Sequence, residues 1–92
     1  MRIHGIVRIA TLEENPPGSD RIEMVLRAQG VGADQPRRLV IPYELLLEDP
    51  TLEPEQVAGK GFQAEVADRG EGRWEVVEIQ LASGRVLRKP EP

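Results

Sequence analysis

Apolar and polar side chains alternate along this chain in short runs, each cut off by glycine or proline, and few folds accept that pattern. The clearest run is VAGKGFQAEV, residues 57–66, where Phe62, Ala64 and Val66 alternate with Gln63 and Glu65. Such alternation describes a strand with one buried face. Gly59 and Gly61 bracket Lys60 ahead of it, and glycine permits a sharp turn or a close backbone approach at that point. Strands and a short helical passage precede this run, and a long final hairpin follows it, an order that suits a small, strongly curved β-barrel.

From the N-terminus, the odd positions Met1, Ile3, Gly5, Val7 and Ile9 predict the inward face of a first strand, and Gly5 marks a bend or a close approach of another backbone. EENPPGSD, residues 13–20, reads as a loop. A second strand is predicted over 21–29, with Ile22, Met24, Leu26 and Ala28 on one face and Arg21, Glu23, Val25, Arg27 and Gln29 on the other. A third, over 37–41, is ended by Pro42. Helix formers at 43–48 and again at 54–58 predict two short helical turns, with Pro50 and Pro54 preventing a longer one. After the strand at 61–67, RGEGR at 69–73 is a turn. The last long strand starts at Trp74, and its inward parity changes between Val76 and Ile79, which predicts a β-bulge near Val76–Val77. Ser83-Gly84 then reads as a hairpin tip that returns a short edge strand over 85–88. One domain is expected over 1–88, with a solvated tail over 89–92.

Ninety-two residues bury a single modest core. Apolar residues at 39% and charged residues at 30% place the chain among folded, non-membrane proteins. With no cysteine there is no disulfide framework and no thiolate chemistry. The N-terminus lacks the apolar run of a signal peptide, and a cytoplasmic location is the expectation. The net charge of −4 opposes non-specific nucleic-acid binding. Ten of the twelve basic residues are nevertheless arginine, the side chain suited to bidentate recognition of anions.

The order strand, strand, strand, helical passage, strand, strand resembles the oligonucleotide/oligosaccharide-binding (OB) fold. The likeness rests on Gly5 midway along the first strand, on IPYELLLEDPTLEPEQ between strands three and four, and on Gly59 and Gly61 opening strand four. The fold class expected is therefore all-β with small α content, a five- to six-stranded Greek-key OB-like barrel with a short irregular helical segment between strands three and four. An SH3-like barrel is the other architecture of this size, and it usually has a shorter connection at that point.

The OB resemblance implies a ligand face on strands two and three, flanked by the first–second and fourth–fifth strand loops. Carried onto this chain, the candidate ligand-binding residues are Arg8, Arg21, Val25, Arg27, Arg38, Val40, Arg73 and Trp74. Arg8, Arg21, Arg27, Arg38 and Arg73 would form a basic track interrupted by Glu23. Single-strand binders add stacking aromatics to such a track, and this chain has only Tyr43, Phe62 and Trp74, of which Phe62 has core parity. His4, the one histidine, belongs to the outward face of the first strand. Glu48, Asp49, Glu53 and Glu55 form an acidic surface whose spacing matches no calcium loop. No cofactor, metal or catalytic residue is expected. The expected activity is that of a non-catalytic binding or adaptor module acting on a protein partner or a second copy of itself, through Val25 and Val40 or the edge at Val86–Leu87. The alternative is single-stranded DNA or RNA on the arginine face.

Overall fold

A computed structural model describes residues 1–89; the expected tail lies, from residue 90 onward, outside the described residues. The strands are β1 (Arg2–Glu14), β2 (Ile22–Gln29), β3 (Arg38–Ile41), β4 (Gly61–Asp68), β5 (Trp74–Leu81) and β6 (Val86–Arg88), with helices α1 (Tyr43–Leu46) and α2 (Pro54–Val57) between β3 and β4. The strand order is β3-β2-β1-β4-β5-β6, and β3 also pairs with β5, so five strands close into a barrel and β6 is extra. All neighbours are antiparallel except β3 and β5, which run parallel and share the single register pair Val40–Glu75. This is the all-β architecture expected, a small closed barrel with a short helical passage between its third and fourth strands.

β1 is shared by the two halves of the barrel. Its first half pairs with β4 (Arg2 to Ile6 against Glu65 to Gly61) and its second half with β2 (Ile6 to Glu14 against Gln29 to Ile22). Gly5 sits where the halves cross, and a Cβ there would lie 2.5 Å from the Gln29 carbonyl oxygen, so only glycine fits. Gly59 ends the helical passage at a φ of +81°, and its N–H donates to the Val7 carbonyl at 2.7 Å.

Ile3, Val7, Met24, Leu26, Leu39, Ile41, Phe62, Ala64, Val66, Val76, Ile79, Leu81 and Leu87 fill the barrel, and the helical passage adds Leu45, Leu52 and Val57 to the same cluster. Burying each large side chain contributes about 1.5–3 kcal/mol, which explains why two four-residue helices hold their place. α2 also carries a local brace, the Gln56 side chain accepting from the Glu53 N–H at 2.9 Å.

The expected bulge in β5 is present. Glu65 pairs with Glu78 and Val66 with Val76, which leaves Val77 as the extra residue; Val76 and Ile79 are buried while Val77 faces solvent. Two expectations about β1 are corrected. It runs on through Glu13 and Glu14, which pair with Glu23 and Ile22, so the loop expected from residue 13 begins at Asn15. The odd face of β1 does not stay inward to Ile9, because a second bulge at Arg8 (Val7 pairs with Ala28 and Ile9 with Arg27) reverses the parity. Ile9 is exposed as a result, and Ala10 packs against the core.

Candidate functional site

Across the outer wall of β1, β2, β3 and β5 the registers align Thr11, Val25, Val40 and Glu75 in one row. Val25 and Val40 point away from the barrel core yet are only 5% and 0% exposed. A charged network spans one end of this wall. Arg73, at the end of the β4–β5 turn, donates through both terminal nitrogens to Glu23 on β2 and through Nε to Glu75 on β5 at 2.7 Å. Arg69 Nε adds a bond to Glu75 at 3.2 Å, and Asn15 Nδ2 donates to Glu23 at 3.1 Å. The Glu23 bonds, ahead of the burial that opposes them, raise the Arg73 guanidinium above its already high value. Glu23 is buried at 7% exposure and is fully employed.

The sequence-derived candidates therefore separate into three groups. Val25 and Val40 lie beneath the surface, and Trp74 is half-buried against the core. Arg73 is held in its network, and Arg21 pairs with Glu44 with its guanidinium 4.8 Å from the Tyr43 ring centroid. Arg8, Arg27 and Arg38 remain exposed, and among the described residues no carboxylate lies within ion-pairing distance of any of them. Arg8 and Arg27 line a groove of about 420 Å³ with Ile9, Ala28, Gln29, Gly30 and Arg37. Arg37 is absent from the predicted candidates because its parity sets it off the β2–β3 face; the adjacent Pro36-Arg37-Arg38 is the signal in the sequence that points to it.

A different concavity, of about 220 Å³, lies between the end of β1, the start of β2 and the helical passage. Leu12, Ile22, Tyr43, Leu46, Leu47, Pro50 and Leu52 line it, with Asp49 and Glu53 at its rim. Leu12 and Leu47 are 48% and 55% exposed. Asp49 already pairs with Arg85 at 3.2 Å, whereas Glu48, Glu53 and Glu55 face solvent. A third groove, about 580 Å³, is floored by Gly5, Gly30, Gly61 and Gly84, and His4 is the one titratable side chain lining it. Among the described residues no three His, Asp or Glu side chains gather to hold a metal ion, and no helix is long and apolar enough to cross a membrane.

No family model, curated protein or solved structure matches the chain.

Proposed function

We propose that the chain is a barrel of the OB type that acts as a non-catalytic binding module, taking a short segment of a partner protein into the apolar groove beside the helical passage. The observation that carries this reading is the pair Leu12 and Leu47, both about half exposed at the lips of a concave apolar surface. The OB assignment is supported by the strand order, by β3 running parallel to β5, and by the helical passage between β3 and β4. At about 220 Å³ the groove is smaller than the usual small-molecule pocket and suits one apolar anchor side chain. Glu53, which lines the groove and faces solvent, favours lysine or arginine beside that anchor, and the cysteine-free chain suits the reducing cytoplasm.

Selection from a displayed library of random peptides tests the reading. Enriched peptides are expected to carry a leucine or aromatic anchor flanked by basic residues, and to lose binding to the doubly substituted Leu12→Lys, Leu47→Lys protein. Enrichment of peptides that bind this variant equally well, or no enrichment, counts against it. The nucleic-acid alternative has less support, since Arg21 and Arg73 are engaged and none of the three aromatic side chains offers a free face on the β2–β3 wall. Titration with a dT oligonucleotide of about fifteen bases at low salt decides between them.

A further inference from the structure

We infer that the groove between the β1 bulge, the end of β2 and the β2–β3 loop is a binding site for a compact polyphosphate group. Among the described residues, four of the ten arginines, Arg21, Arg69, Arg73 and Arg85, have a carboxylate partner. Arg8, Arg27 and Arg37 have none among the described residues, although acidic residues outnumber basic ones by 16 to 12. These three converge on one groove of about 420 Å³ whose lining holds no acidic side chain. Arg38 stands opposite Arg27 in the β2–β3 register and adds a fourth cation beside it.

The three arginines come from three different elements, and Arg8 is delivered by the bulge. A bulge re-aims the side chain it carries; in an unbroken β1 the alternation would continue past residue 8 without a change of face. Like charges gathered in this way repel one another, and a multiply charged anion removes that repulsion while accepting several charge-assisted bonds. Ile9 and Ala28 give the groove an apolar floor and Gln29 lines it with a neutral amide.

The choice of polyphosphate over a nucleic-acid strand follows from what surrounds the groove. Tyr43, Phe62 and Trp74 do not line it, and Phe62, which borders the adjoining groove, is buried at 5% exposure, so no free phenyl, phenol or indole face is offered to stack a base. Arg73, at the opposite end of β2, is neutralised by Glu23 and Glu75, so the cations make a spot rather than a track. The glycine-floored groove adjoins at Gly30 and leaves room for whatever carries the phosphates.

Isothermal titration of the whole protein with inorganic tripolyphosphate, with ATP and with the dT oligonucleotide tests the inference. Tripolyphosphate is expected to bind, to bind more weakly as sodium chloride is added, and to lose at least about fivefold in affinity with each of Arg8→Gln, Arg27→Gln and Arg37→Gln. All three positions are exposed, so these variants fold, and Arg2→Gln, outside the groove, is expected to bind as the parent does. Equal affinity for ATP assigns recognition to the phosphates alone; tighter ATP binding adds a contact to the nucleoside, and both agree with the inference. No tripolyphosphate binding at millimolar concentration and low salt overturns it. So does binding that the triple variant keeps, or an oligonucleotide that binds more tightly than tripolyphosphate.

Discussion

Glu23 shows most plainly how a single residue is governed by partners distant in sequence. Its carboxylate is buried in the barrel wall, where an ionised group is tolerated only if it is paired and hydrogen-bonded, and Arg73 and Asn15 meet that need. Arg73→Ala leaves the charge with Asn15 alone and is expected to cost about 2–3 kcal/mol, read as a lower urea midpoint. Replacing both members together, with Glu23→Leu and Arg73→Met, is expected to recover most of that loss, which separates the penalty of a stranded charge from the net worth of the pair. Two glycines give an opposite pair of expectations. Gly5→Ala drives a Cβ into the Gln29 carbonyl and is expected to destabilise by about 1–3 kcal/mol. Gly61→Ala meets nothing nearer than 3.7 Å and is expected to be neutral or slightly stabilising by thermal melting. The role of Gly5 was legible in the sequence because a glycine that interrupts an alternating run marks a bend or a close backbone contact. The role of Glu23 was not, since parity alone puts it on an outward face and nothing local shows that an arginine fifty positions later will cover it.

At the scale of elements, the two bulges decide which side chains the barrel keeps. In β5 the sequence carried the evidence itself, because apolar residues occupy both parities around Val76–Val77 and no straight strand buries both. Val77→Lys is accordingly expected to change stability by less than about 0.5 kcal/mol, whereas Val76→Lys is expected to abolish the folded circular-dichroism signal. In β1 the signal was masked. Ile9 is large and Ala10 small, so hydrophobicity favoured the wrong face, and only the registers against β2 reveal the extra residue at Arg8. α1 contributes a pH dependence. Glu44 accepts from its own backbone N–H at the start of this helix, a bond that outweighs slight burial and, with Arg21, holds its carboxyl below the usual range. A depressed value means that the contribution is complete above the ordinary carboxylate value and disappears as pH falls through the folded one. Glu44→Gln is expected to narrow the difference in urea midpoint between about pH 7 and about pH 3.

For the whole molecule, the count and order of strands were readable from alternation and punctuation, because each run had to find a partner and a closed barrel leaves few edges unpaired. The candidate site was readable only in part. Arg8 and Arg27 were picked out and do share a groove, but the track that was to join them to Arg21 and Arg73 is divided by ion pairs that only the folded chain brings together. The apolar groove was missed altogether, since Leu12, Ile22 and Leu47 lie on three segments that touch only after closure. That closure is uneven around the ring. Four of its five joints are ladders of several registered pairs, and the joint between β3 and β5 is the single pair Val40–Glu75. The barrel is in this respect a bracelet with a clasp. The Glu23–Arg73–Glu75 network, which binds the strands on either side of β3, is the catch on that clasp. Breathing of the native state is expected to begin there, so Arg73→Ala should speed amide hydrogen exchange at Val40 and its β3 neighbours well before it reaches the β1–β4 ladder.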